Sequence, residues 1–180
     1  MITRVHRRGR RVGGLLRYLY GPGRREEHVR PRLVASWDGA GSLTELEPPV
    51  GADGRRDLRH LVGMLEQPVH AADRAPTRPV WHASMRLAPQ DRHREFSDAT
   101  WGHLAQQLLA GAGLVHADDP DGVRWVAVRH NDDHVHIVVT LVREDGRSEW
   151  ARNDHRRCVA ATADLASRFG LRRVAPADAT

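Results

Sequence analysis

A chain of 180 residues with a formal charge of +5 fits one domain, large enough to bury a core without staples. All 28 basic residues are arginine, whose forked guanidinium matches phosphate oxygens and whose plane stacks on bases, so the excess favours a nucleic-acid partner over an acidic protein. An arginine-rich, lysine-free composition is also what a GC-rich genome produces. The single cysteine, Cys158, excludes an internal disulfide framework; no apolar run is long enough to cross a bilayer, and no signal-peptide core follows the basic start, so the expected location is cytoplasmic with no membrane partner.

In chain order, residues 2–6 predict a short strand, and Val12, Leu15, Leu16 and Leu19 recur at helical spacing over 12–20 until Gly21-Pro22-Gly23 stops the helix. Residues 33–37 read as a strand turned by Asp38-Gly39, and the Gly/Pro-containing stretch 39–54 as an exposed connection. Asp53 is the expected cap of a helix through about residue 66, striped by Leu58, Leu61, Val62 and Leu65.

Residues 80–87 alternate, with Val80, His82, Ser84 and Arg86 on one side and Trp81, Ala83, Met85 and Leu87 on the other, which makes the first side a polar working face. Ser97 caps a helix striped by Trp101, Leu104, Ala105, Leu108 and Leu109, which Gly111 and Gly113 end. Two valine-rich strands, 123–130 and 134–142, flank the polar turn Asn131-Asp132-Asp133. Asn153 or Asp154 opens a last helix carrying Cys158, Ala161, Leu165 and Phe169; Cys158 and the tryptophans 37, 81 and 101 read as packing. These elements predict an α+β domain over 1–173, an antiparallel or mixed sheet with helices mainly on one face, and a loose tail over 174–180.

The most informative segment is His130-Asn131-Asp132-Asp133-His134-Val135-His136. His134 and His136 share a strand face, about 6.6 Å apart at the Cα atoms, and a three-residue hairpin loop puts His130 directly opposite His134. Three converging imidazoles suit a divalent metal ion with open positions, able to grip phosphate oxygens. Asp132 and Asp133 are the candidates to accept hydrogen bonds from those rings and orient them. The competing reading is a trio of surface or core histidines at a hairpin end.

The two tyrosines, Tyr18 and Tyr20, stand together in Leu15-Leu16-Arg17-Tyr18-Leu19-Tyr20-Gly21. A phenol with a pKa of about 10 attacks a phosphodiester only where a metal or arginine stabilises the developing charge. Residues 18 and 20 lie about 200° apart around a helix, so at most one can face a metal.

The segments "GLLRYLYGPG" (14–23), Glu27-His28, Leu33-Val34-Ala35, "WHASMRLAPQDR" (81–92) and "RHNDDHVHIVVTLVREDGR" (129–147) together resemble actinobacterial relaxase/mobilization nuclease domains, a group within the HUH endonucleases. The resemblance runs in the same order over nearly the whole chain. It implies an antiparallel sheet of about five strands in an HUH/relaxase-like palm, with His130, His134 and His136 holding manganese, magnesium or zinc. It also implies a tyrosine on a neighbouring helix that stays on the 5′ phosphate of a nicked strand; Tyr18 matches the position where the family carries it, with Tyr20 the second candidate. His82, Arg86 and His28 are expected to contact substrate.

The implied activity is site- and strand-specific nicking of single-stranded DNA at a transfer origin during plasmid or integrative-element mobilization, with accessory mobilization and coupling proteins as partners. The chain is short for a conjugative relaxase, which fits a nuclease domain alone or a compact mobilization protein. The alternatives are a replication-initiator nuclease of the same chemistry and, from another class, a non-catalytic single-stranded-DNA-binding module.

Overall fold

The computed structural model describes residues 1–22 and 29–172. Gly23, Glu27, His28 and the tail 174–180 lie outside the described residues. Alternating sequence becomes strand where expected: β1 (Ile2–Val5), β2 (Arg32–Ser36), β3 (Val80–Arg86), β4 (Val123–Arg129) and β5 (His134–Arg143). They form one antiparallel sheet in the order β1-β3-β5-β4-β2, so the strand bearing two of the site histidines lies at its centre.

The helices are α1 (Val12–Tyr20), α2 (Leu43–Leu46), α3 (Arg59–Ala71), α4 (Asp98–Ala112) and α5 (Asp154–Arg168). Because strand side chains alternate, each face of the sheet has its own core. Trp81, Ala83, Met85, Trp125, Ala127, Val135, Ile137 and Val139 point toward α4 and α5, which contribute Trp101, Leu104, Leu108, Cys158 and Leu165. The opposite residues Val80, Val126, Val128 and Val138 meet Val12, Leu16 and Leu19 of α1 and Leu61 and Leu65 of α3. The one-sided arrangement expected from sequence thus describes α4 and α5, while α1 and α3 cover the valine-rich half of the other face. The histidines occupy this second face.

α4 is capped as expected: Ser97 Oγ accepts a hydrogen bond from Thr100 N (3.1 Å), and Gly113 ends the helix in the left-handed region at φ 73°. A Cβ on Gly102 would collide with the Val34 carbonyl, so a glycine is what lets α4 lie directly on β2. Cys158 is buried, and burial pushes its thiol pKa up to about 12, in keeping with a packing role.

Two expectations require correction. Asp53 does not cap a helix; its carboxylate accepts from Arg55 N in a tight turn, Val50 and Arg56 form a bridge, and α3 begins only after Asp57, which accepts from Arg59 N. The apolar stripe was right and the start five residues early, because an Asx turn competes for the same capping residue. The stretch 39–54 is not simply an exposed connection: a 3-10 turn (Ala40–Ser42) leads into α2, whose Leu46 is buried in the second core.

Candidate active site: a histidine face beside the tyrosine helix

Central β5 presents His134 and His136 on the same face, with Val135 and Ile137 turned into the opposite core. Val128 pairs with His136 and Arg129 with Val135, which leads β4 directly to His130 at the mouth of the 131–133 turn. The three rings converge: His130 lies 4.5 Å from His134 and 4.8 Å from His136 between centroids, and His134 lies 5.4 Å from His136. One nitrogen from each falls within 4.8 Å of the others.

Around this trio the two acidic neighbours behave differently. Asp133 Oδ1 accepts from Nδ1 of His134 at 2.8 Å, and Asp133 is itself held by Arg92 at 3.1 Å. The Asp132 side chain is 94% exposed and lies 3.8 Å from Arg129. What secures the turn is Arg129, a buried guanidinium that donates to the carbonyls of Asn131 and Asp132 and, at 2.6 Å, to Asp98 at the start of α4. The turn carrying the histidines is therefore braced by a buried charge each of whose three nitrogens is hydrogen-bonded.

β3 adds His82 and Arg86 to the same face, as the alternation predicts: Arg86 pairs with His134, Ser84 with His136 and His82 with Val138. His82 Nε2 stands 2.8 Å from His136 Nδ1. Arg86 is exposed at the end of the strand. His6, which sequence reasoning did not single out, completes the row: its backbone N donates to the His82 carbonyl, its ring stacks on His82 at 4.1 Å, and its Nε2 lies 2.9 Å from Ser84 Oγ. His6, His82 and His136 form a second group whose nitrogens lie within 4.8 Å of one another. Burial lowers the pKa of all three, that of His82 to about 3, with neighbouring charge from Arg4 and the other histidines adding to the shift.

The donor set fits a divalent cation. It consists of imidazoles without thiolate, and Nδ1 of both His134 and His136 is engaged, which leaves Nε2 of each as the nitrogen to offer.

The two tyrosines of α1 differ sharply. Tyr18 is 42% exposed. Tyr20 is 8% exposed, its hydroxyl donates to Glu47 Oε2 (3.4 Å), and Arg56 lies over its ring. Burial, with the Glu47 carboxylate second, pushes the Tyr20 phenol far above its usual pKa. Along α1 runs a cleft of ≈ 750 Å³ lined by Arg17, Tyr20, Arg55, Arg56 and Arg59 among others. A larger cleft of ≈ 1150 Å³, lined by Trp37, His103, His116 and Trp125, shares no residue with the histidine face.

Residues 55–171 match the family model described as Relaxase: MobA/VirD2-like, nuclease domain. The match takes in β3, β4, β5 and His82, His130, His134 and His136, and leaves His6, His28 and both tyrosines outside. Neither the curated proteins nor the solved structures gave a match. Covering well over half of the chain, and joined to a five-stranded antiparallel sheet with a histidine-lined face, the family match identifies the protein as a member of the relaxases, DNA-nicking nucleases.

Proposed function

We propose that this relaxase nicks one strand of DNA at a transfer origin through a 5′-phosphotyrosine, using Tyr18 as nucleophile and a manganese, magnesium or zinc ion held by His130, His134 and His136. The observation that carries the reading is the convergence of three imidazoles on one face of the central strands in a chain whose family cuts DNA. A cation bound there supplies positive charge against the phosphate oxygens. Arg86, at the same end of the face, and the arginines of the cleft along α1 grip the flanking backbone of the single strand.

Tyr18 Oη attacks phosphorus and forms a new O–P bond as the P–O3′ bond breaks. On balance the phenolic proton passes to the departing 3′ hydroxyl, and the strand remains attached through its 5′ phosphate. The same 3′ hydroxyl attacks the phosphotyrosine to reseal the strand, so no bond energy is lost to water. Tyr20 is the weaker candidate because its hydroxyl is buried against a carboxylate, which opposes the negative charge a nucleophilic phenol must develop. His28, lying outside the described residues, stays a proposed substrate contact on the strength of the family resemblance alone. The biological setting is mobilization of a plasmid or integrative element in the cytoplasm, with accessory and coupling proteins as partners.

Tyr18→Phe is expected to abolish a denaturant-resistant protein–DNA adduct formed with single-stranded origin fragments and manganese, while Tyr20→Phe retains it. Loss of adduct in Tyr20→Phe alone reverses the assignment. Good binding without adduct in the wild type favours a single-stranded-DNA-binding module instead.

A further inference from the structure

We infer that His82 is a positioning residue for the candidate cation site: its Nε2 accepts a hydrogen bond from Nδ1–H of His136 and so commits His136 to offer Nε2 to the ion. The inference rests on reading His130, His134 and His136 as the cation site. A neutral imidazole carries one proton, so the nitrogen that gives its lone pair to a cation leaves the proton on the other. For His134 that proton goes to the Asp133 carboxylate. For His136 the corresponding atom faces His82 Nε2 at 2.8 Å, across adjacent strands and two residues off direct register.

His82 is held for this task. Its ring is stacked on one side by His6, at 4.1 Å and 12° between planes, and His6 is in turn tied to Ser84 Oγ at 2.9 Å. With Nε2 on His136, His82 does not also direct that atom to a phosphate, so its contribution to catalysis passes through the metal ligand. A rival use of the same residues is a second cation held by His6, His82 and His136. Two ligand nitrogens at 2.0–2.1 Å from one tetrahedral ion stand about 3.3 Å apart. The observed 2.8 Å is the length of a hydrogen bond.

The test compares wild type with His82→Phe, which keeps a ring for His6 to stack on but has no acceptor, and His82→Gln, whose amide oxygen reaches about as far as Nε2. Manganese and zinc affinity and stoichiometry are measured by competition with a chromophoric chelator, and histidine tautomers by nitrogen-15 NMR on cation-free protein. The expected result is one cation per wild-type chain, 10- to 100-fold weaker affinity in His82→Phe, and affinity within about threefold of wild type in His82→Gln. His136 should carry its proton on Nδ1 in wild type and His82→Gln, and lose that preference in His82→Phe. Thermal melts establish that each variant is folded.

Equal affinity in wild type and His82→Phe overturns the inference while leaving the proposed cation site standing. So does a proton on Nε2 of cation-free His136, or two cations per chain reduced to one by His6→Ala. A wild type that binds neither metal overturns the cation site and this inference together, and the tautomer measurement still reports whether the hydrogen bond exists.

Discussion

Asp132 and Asp133 follow one another in a three-residue turn, and nothing in their type or spacing separates them. The backbone does: Asp133 sends its own carbonyl to Leu87 N and its side chain to His134, whereas Asp132 contributes its carbonyl to Arg129 and leaves its carboxylate in water. A carboxylate that accepts from Nδ1–H raises the basicity of the other nitrogen and fixes the ring, so Asp133→Asn is expected to weaken cation affinity by about 10-fold or more. Asp132→Asn is expected to leave it unchanged, as read by the same chelator competition. If both substitutions act equally, the effect is one of net charge near the ion and the orienting role is wrong. The histidine trio was legible from spacing because a two-residue step on a strand and a three-residue hairpin both fix which way a side chain points. His6 was not, because what brings it to His82 is the pairing of β1 with β3, 76 or more residues away along the chain, and no local pattern encodes a partner at that distance.

Elements with a single strong period were read almost residue for residue: α1, α4, β3 and β5 lie where the apolar spacing put them. What the spacing did not carry was the layering of helices on both faces, since an amphipathic stripe shows that a helix packs and not on which side of a sheet. The joint between α4 and the sheet was equally invisible. Asp98, in the first turn of α4, accepts from Arg32 of β2 at 2.6 and 2.7 Å and from Arg129 of β4 at 2.6 Å. Hydrogen bonds from Arg32, with those from Arg129 behind them, hold its carboxyl below the usual range against an opposing effect of burial. With the folded pKa depressed, the unfolded chain binds the proton more readily below about pH 4, so this stabilisation is complete above that value and is lost as pH falls through the folded pKa. Asp98→Asn is accordingly expected to lower the melting temperature at pH 7, and the gap to wild type should close toward pH 2. The gap is modest, because the Asp98 side chain is 44% exposed and solvent screens the pair. A difference that stays constant from pH 7 to pH 2 would mean that the variant acts through packing and not through charge.

Across the molecule two sets of arginines stand in contrast. Arg32, Arg124, Arg129 and Arg143 are paired with carboxylates and serve the fold. Arg7, Arg10 and Arg11, in the segment that joins the His6 strand to the tyrosine helix, and Arg17 within that helix, are exposed and outside those pairs. These four arginines form a basic approach on and before α1 that needs no metal to attract a phosphate backbone. On the proposed reading two energetically separate contributions to DNA handling follow: counterion release at the arginines, which sets affinity, and a cation held by the histidines, which serves the chemistry. Chelator is expected to abolish nicking while leaving most salt-sensitive binding of single-stranded DNA intact. Arg7→Gln, Arg10→Gln and Arg11→Gln combined should do the reverse, weakening binding and reducing the slope of log affinity against log salt by about 0.7 for each arginine replaced, roughly 2 in all, with the cation affinity unchanged. Fluorescence anisotropy across a salt series, with and without chelator, reads both effects on one protein preparation. An unchanged slope in the triple variant would leave the cleft lined by Arg17 and Arg55 as the surface to mutate next. Loss of binding and nicking in parallel on chelation would instead mean that the cation, and not the arginine surface, holds the DNA.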